Sequence, residues 1–449
     1  VSIMMETPMT PIDHDPVGDE SFAFIIRGGN PISGTVKPGG NKNAALPMIA
    51  ACLLADGAVT LSNVPQIRDV RMLLQLISAL GADVTEEAPD RWRISANELS
   101  TRALDPGLAR QIRASFLLAG PLVSRWGRAV LPRPGGDRIG RRPLDTHVHA
   151  FRTLGADVDI EPDRYVIRAP NGLTGTDIFL QEMSVMGTEN AVMAASLARG
   201  TTTIGNAASE PHVQELCHLI NAMGGRIRGI GTNVLKIEGR AELGGTETAV
   251  GPDPVEVGSF VGLAAVTGGE LRITNAEPLS HHRMTAIGFA RLGIRWRIDG
   301  DDILVPAEQE LVVQDDLHGA IPKIDDGPWP AFPPDLTSIM VVLATQSTGT
   351  ILIHEKMFES RLFWVDRLIA MGARIVLCDP HRAVVVGPSQ LYGQQLASPD
   401  IRAGMALVIA ALCADGESVI HNIHQVERGY ELLHDRLEAL GADVERVER

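Results

Sequence analysis

Cysteine is scarce in this chain and forms no pattern. Cys52, Cys217, Cys378 and Cys413 are the only four in 449 residues. None has the spacing of a metal site or a redox pair, and each falls in an apolar segment. This predicts buried free thiols in a reducing cytoplasm, and argues against a zinc or disulfide role. Long apolar runs are also missing. The longest, such as Met405 to Ala414, suits a buried helix and falls short of the roughly 18 residues of a membrane span. The stretch from Glu6 to Asp19 is acidic and Pro-rich and lacks the basic start and apolar centre of a signal peptide, so residues 1–22 read as a disordered tail. Finally, there is no basic excess. A net charge of -15 argues against nucleic acid, whose phosphates call for a basic face. Any anionic ligand must meet a local cluster of basic side chains. With 45% hydrophobic and 21% charged residues, what remains is a soluble globular chain long enough for two or three domains.

What the chain does have is a phrase used six times, an apolar residue and glycine leading into an apolar strand. It stands at Gly81, Gly155, Gly224, Gly293, Gly372 and Gly441, spaced by 74, 69, 69, 79 and 69 residues. About 24 residues before each phrase a second glycine (Gly57, Gly127, Gly200, Gly268, Gly349, Gly416) opens an alternating, strand-like run. Between the two lies an amphipathic helix, clearest where Val70, Leu73, Leu74, Ile77 and Leu80 keep a 3.6-residue period. Before the strand glycine stands a helix apolar on nearly every side, such as Ala44 to Leu54 or Ala403 to Ala414, which belongs in a core. The expected unit is therefore α/β with its first helix inside and its sheet outside. Six units are too many for one core. The turn-rich Gly251-Pro252-Asp253-Pro254 suggests a hinge. The expected domains are 23–42 plus 252–449 (units four to six) and 43–251 (units one to three), with the default site in the cleft between them.

One register position carries charge. About 14 residues before the strand glycine, at the mouth of the apolar helix, stand Lys42, Arg113, Asp335 and Arg402, with Ser184 to Thr188 near that place in unit three. Charges there are costly unless they face a cavity or ligand, and helix N-termini favour anions. Arg361 and Arg428 share a second offset, past their strand glycines. The run 132–143, rich in glycine, proline and arginine, reads as a mobile basic loop able to close over an anion.

Lys42-Asn43-Ala44-Ala45-Leu46-Pro47, Arg113-Ala114-Ser115, Pro134-Gly135-Gly136-Asp137 through Arg142-Pro143-Leu144-Asp145-Thr146-His147, Ala331-Phe332-Pro333-Pro334-Asp335 and Arg428-Gly429-Tyr430-Glu431 together resemble the UDP-N-acetylglucosamine 1-carboxyvinyltransferases, from about Ile25 to the C-terminus. The related shikimate-pathway synthase shares the six-unit architecture with different signatures. The resemblance implies an inside-out α/β barrel of the enolpyruvyl transferase fold, in two domains that close on their ligands. It implies transfer of the enolpyruvyl group of phosphoenolpyruvate to the 3'-hydroxyl of UDP-N-acetylglucosamine in peptidoglycan synthesis. Asp335 is then the general base, with Lys42 and Asp137 in the catalytic set. Lys42, Arg113, Arg142, Arg361, Asp400, Arg402 and Arg428 hold phosphoenolpyruvate. Asn43, Arg113, Arg142, Pro143, Leu144, Asp145, Ser184, Val185, Glu210, Asp335 and Met357 hold the nucleotide sugar. No cofactor, metal, nucleic acid or membrane is implied, and the state expected is a cytoplasmic monomer or weak oligomer.

Three positions depart from the family pattern. Asp137 replaces the loop cysteine that fosfomycin alkylates in most members, Glu182 stands where a lysine is common, and the hinge reads Asp253-Pro254-Val255-Glu256-Val257-Gly258. Two other readings are an enolpyruvyl transferase acting on another nucleotide or nucleoside, and a non-catalytic nucleotide-sugar-binding paralogue.

Overall fold

In the computed structural model, which describes residues 22–136, 139–276 and 278–448, the repeated phrase is one helix terminator built six times. Helices Arg68–Ala79, Asp145–Thr153, Pro211–Ala222, Arg283–Ala290, Val365–Ala370 and Leu433–Ala439 all run into it. Each phrase glycine has a positive φ, between 83° and 108°. The next residue then donates its N–H back to the carbonyl five residues earlier, as in Ala82 to Ile77 at 3.1 Å and Ala373 to Leu368 at 2.9 Å. This closes the helix and releases the chain into a strand, a geometry that glycine reaches without steric cost.

Each unit places its strands in one sheet. In unit one Val59–Ser62, the strand opened by Gly57, pairs antiparallel with Arg91–Ser95, which pairs in turn with Asp83–Ala88. A parallel strand, Thr246–Ala249, joins the other edge from the end of unit three. Units three, four and five repeat this order, while in unit two the parallel strand shrinks to a bridge between Ala103 and Val130. Unit six is completed by the start of the chain, since Phe22–Arg27 inserts between Glu417–His421 and Asp443–Glu448. Gly34–Val36 then adds to unit four beside Leu271–Ile273. Unit three thus hands a strand to unit one, and the chain start links unit six to unit four. Each half is a cycle of three units.

The apolar helices lie inside, as their all-round hydrophobicity requires. Lys42–Ala51, Val185–Ser196, Pro254–Thr267, Thr337–Gln346 and Ile401–Cys413 are almost wholly buried. The sixth departs from the expected helix at Ala114, because Arg113–Leu118 is a 3-10 turn that only then passes into helix Ala119–Trp126. Two hydrophobic clusters result, one from Ala44 to Val250 and one joining Phe24 to Val36 with Val255 to Val444. The chain crosses between them twice, side by side. Asn41 donates to the Gly251 carbonyl at 2.7 Å and Asp253 to that of Gly39 at 2.9 Å. Gly40 lies here because a Cβ would sit 1.9 Å from the Asn63 carbonyl oxygen.

Two expectations are corrected. Cys52 and Cys217 are buried, but Cys378 is exposed and Cys413 is only partly covered. Cys378 lies on Arg374–Asp379, the last strand of its sheet, where neither face is fully covered. The expected tail falls on residues outside those described, except Phe22, which opens the first strand.

Candidate active site

The two repeated positions converge. The residues 14 before each strand glycine are Asn43, Arg113, Met186, Pro254, Asp335 and Arg402, and all six line a single cleft of about 620 Å³ between the halves. Each sits at the start of a core helix or of the 3-10 turn leading into one. Twelve residues after the strand glycines stand Asp69, Ile139, His212, Arg361 and Arg428, which also line it; in unit four His281 does so next to the register residue Ser280.

One wall is built around Asp335. Its Oδ1 accepts from Arg361 Nη2 at 3.0 Å, and its Oδ2 accepts from Arg402 Nε at 3.1 Å, with Arg402 Nη2 at 3.0 Å. Burial opposes ionisation, but Arg402 and Arg361 outweigh it and hold this carboxyl well below the usual carboxylate range. Arg402 is fixed in turn. Its own backbone N–H, with that of Ala403, donates to Asp400, the N-cap of helix Ile401–Cys413. Its guanidinium lies 5.6 Å from the Tyr430 ring centre, and Tyr430 shares a 2.9 Å hydrogen bond with Ser259. Asp253 caps Pro254–Thr267 in the same way, so Asp335 is not alone among acidic residues at helix mouths.

The halves meet across Asp69, in the first turn of helix Arg68–Ala79. Lys42 Nζ lies 2.7 Å from Asp69 Oδ2, while Arg428 from the other half donates through Nε to Oδ1 at 2.9 Å and through Nη2 to Oδ2 at 3.2 Å. Burial works against Asp69, yet Lys42 and Arg428 keep it ionised below its ordinary range. This residue escaped the sequence reading, although it shares the offset of Arg361 and Arg428; only basic residues drew notice there.

A second basic group lies on the first half. Arg113 donates to the Arg142 carbonyl. Burial and the like charge of Arg142 push Arg113 down to about 10, so an anion between them would relieve both. Beneath them His147 is buried and neutral, pushed down to about 3 by burial and by Arg113. Gly120 N–H donates to Asn190 Oδ1, which turns the Asn190 amide nitrogen to His147 Nδ1 at 2.9 Å and leaves the imidazole proton on Nε2. Pro47, inside the first core helix, cannot donate, so the Asn43 carbonyl lacks its usual i+4 partner beside the cleft.

Of the residues expected to bind the sugar nucleotide, Asn43, Arg113, Arg142, Pro143, Ser184, Val185, Glu210, Asp335 and Met357 line the cleft. Ser184 caps helix Val185–Ser196, and Glu210 accepts the N–H of Trp329 from the opposite half at 3.2 Å. Leu144 and Asp145 are not among the described lining residues. Leu144 is buried, and Asp145 is exposed where helix Asp145–Thr153 turns the chain away. All the residues expected to hold phosphoenolpyruvate line the cleft. Asp137 lies outside the described residues; Gly136 and Ile139 to either side line the cleft. Past it the loop touches the second half, with Ser360 N–H donating to the Ile139 carbonyl and Arg141 N–H to Glu359, both at 3.1 Å. Glu182 also lines the cleft, as does the fully buried Glu189, whose carboxyl is pushed well up by burial and by Glu210.

The family model for EPSP synthase (3-phosphoshikimate 1-carboxyvinyltransferase) matches residues 26–437. Among solved structures, the enolpyruvyl transferase NikO from Streptomyces tendae superposes with a TM-score of 0.84 at 24% identity, covering 95% of this chain and 99% of that one. EPSP synthase from Acinetobacter baumannii gives 0.73 at 17% identity, covering 95% and 100%. These two likenesses establish the enolpyruvyl transferase fold. Relatives named UDP-N-acetylglucosamine 1-carboxyvinyltransferase are 56% identical in Treponema denticola, over 95% of this chain and 99% of that protein. In Bradyrhizobium diazoefficiens the identity is 55%, over 94% and 98%. With more than half the residues shared along nearly the whole chain, the protein belongs to the UDP-N-acetylglucosamine 1-carboxyvinyltransferase family.

Proposed function

We propose that this protein transfers the enolpyruvyl group of phosphoenolpyruvate to the 3'-hydroxyl of UDP-N-acetylglucosamine and releases phosphate, as an enzyme of peptidoglycan synthesis. The observation that carries this reading is a pair of walls, each with one carboxylate held by two cations. Asp335 sits between two guanidiniums opposite the Lys42–Asp69–Arg428 bridge, in a cleft that both halves build.

Phosphoenolpyruvate is a multiply charged anion. Lys42, Arg113, Arg142 and Arg428 supply cations for its phosphate and carboxylate, with Arg361, Asp400 and Arg402 completing the site, and guanidinium forks match such anions in geometry. Asn43, Arg142, Pro143, Ser184, Val185, Glu210 and Met357 contact the nucleotide sugar. Asp335 takes the proton of the 3'-hydroxyl as oxygen attacks C2 of phosphoenolpyruvate, while an acid protonates C3; Asp137 of the loop is that acid. Loss of a C3 proton and of phosphate from the tetrahedral adduct then restores the double bond. A carboxylate gripped by two guanidiniums is a weak base. A bound anion that draws on Arg402 weakens that grip and raises the basicity of Asp335, while Arg361 keeps the carboxylate in place, so the base is armed only when the donor is present.

Both substrates are small and water-soluble, and we read the chain as a cytoplasmic monomer or weak oligomer with no nucleic acid or membrane partner. Glu182, on the cleft lining, makes acceptor identity the point to test. Phosphate release is measured with phosphoenolpyruvate and a panel of UDP-sugars and nucleosides. Turnover that requires UDP-N-acetylglucosamine supports the proposal, and turnover only with another acceptor, or none at all, refutes it.

A further inference from the structure

Behind Arg361, against the cleft-lining residues Met357 and Phe358 but not themselves among the described lining, two carboxyl groups are buried together. Strands Lys323–Asp325 and Gly349–His354 run parallel with Asp325 opposite His354, so the residues that follow, Asp326 and Glu355, emerge side by side. Glu355 is 0% and Asp326 1% exposed. Each has one satisfied oxygen: Glu355 Oε1 accepts the N–H groups of Met357 at 3.2 Å and Phe358 at 3.1 Å, and Asp326 Oδ1 accepts that of Lys356. Glu355 Oε2 and Asp326 Oδ2 have no donor among the described residues, and Arg361 Nε has no acceptor. That nitrogen is 3.7 Å from Glu355 Oε2, while Nη2 of the same guanidinium holds Asp335.

We propose that Asp326 and Glu355 share one proton between their two unsatisfied oxygens, and that this singly charged pair is a positioning device that keeps Arg361 on Asp335. Two carboxylates in contact inside a protein do not both ionise, and one O–H donated from Glu355 to Asp326 satisfies both oxygens at once. The single remaining charge balances the rear of the guanidinium without drawing it off. A second negative charge would compete directly with Asp335, since Arg361 Nε needs to close less than an ångström to reach hydrogen-bond distance of Glu355 Oε2.

The other charged or titratable groups around the pair are His381, whose Nδ1 lies 2.8 Å from the Glu355 carbonyl, and Asp325 with Lys323, His354 and Lys356. Beyond Arg361 lie Asp335 and Arg402. Burial first, and then Asp326, push Glu355 up to about 9, so the proton is held through the neutral range. Above that the pair becomes doubly charged, Arg361 moves toward it, and Asp335 loses one of its two cations. Turnover then falls on the alkaline side.

The effect on turnover rests on Asp335 being the base proposed above, whereas the shared proton does not, so the test has two arms. Difference infrared spectroscopy of the full-length protein should show a protonated-carboxyl band at pH 7 that disappears in Glu355→Gln and in Asp326→Asn. No such band in the unsubstituted protein overturns the proposal, whatever the enzyme's substrates. In the second arm, kcat and KM are measured from pH 6 to 10. Glu355→Gln cannot ionise and its amide still donates to Asp326. It should keep both KM values and hold kcat level where the unsubstituted enzyme falls about tenfold per pH unit beyond its limb. Glu355→Ala, checked for folding by circular dichroism, should lose kcat at least tenfold with little change in KM. An alkaline limb in Glu355→Gln superimposable on that of the unsubstituted enzyme overturns the positioning role.

Discussion

Replacing Asp69 with Asn removes one charge from the joint between the halves and changes almost nothing in shape. The side chains of Lys42, Asp69 and Arg428 are only 10%, 7% and 11% exposed. After the change two cations face each other with only an amide oxygen between them. Breaking a buried ion pair by removing one partner costs about 3–5 kcal/mol. Water in the cleft lowers this toward about 3 kcal/mol, still roughly a hundredfold in the unfolding equilibrium. Urea unfolding at pH 7 reads it directly. The pH dependence supplies the sign. Asp69 has a depressed folded-state pKa, so its stabilisation is fully present above the unfolded value of about 4 and is lost as pH falls through the folded value. The gap between the unsubstituted and Asp69→Asn proteins should therefore narrow below pH 4. Inorganic phosphate should stabilise the variant more than the parent, since an anion fills the vacated charge. Equal stability at pH 7, or a gap that ignores both acid and phosphate, would show that this bridge does not hold the halves.

Asp335→Asn should lower kcat by at least about a thousandfold while UDP-N-acetylglucosamine still binds in calorimetry; surviving turnover would place the base elsewhere. Arg402→Lys keeps the charge but loses the fork on Asp335, so kcat/KM should drop about a hundredfold, and a fall below threefold would mean that charge alone suffices. Fosfomycin should not inactivate the protein, because a carboxylate opens an epoxide far less readily than a thiolate, whereas Asp137→Cys should create time-dependent inactivation with an adduct on residue 137 in the intact mass and its peptide map. The exposed Cys378 is a control in that experiment: it is not among the described residues of the cleft, so an adduct there should leave activity unchanged.

Recurrence decided what the sequence could disclose. Arg113, Asp335 and Arg402 repeat one place in the unit, with Lys42 one residue ahead of it in unit one, and Arg361 and Arg428 repeat another; a repeat that preserves geometry makes such residues converge wherever the units close into a ring. Asp69 and His212 occupy the second place too, but a change of charge or type hid them. Glu189, Glu355 and Asp326 left no mark at all, since nothing in a sequence distinguishes a carboxyl that is buried from one that is solvated. Cys378 was misplaced for a related reason. Alternation identifies a strand, but whether that strand closes a sheet or ends it depends on pairing, and Arg374–Asp379 pairs on one side only.

The same convergence accounts for how a chain of net charge -15 can take an anionic substrate. The six residues 14 before the strand glycines all lie at helix or 3-10 starts, so the positive ends of six backbone segments turn toward one cleft. Two of the acidic groups inside are spent on the basic side chains there: Asp69 on Lys42 and Arg428, Asp335 on Arg361 and Arg402. A substrate anion therefore meets cations already held in place by carboxylates it can partly displace. Because Asp69 comes from one half and Arg428 from the other, the bridge is complete only when the halves are together, so the cations around it are set by how the two halves meet.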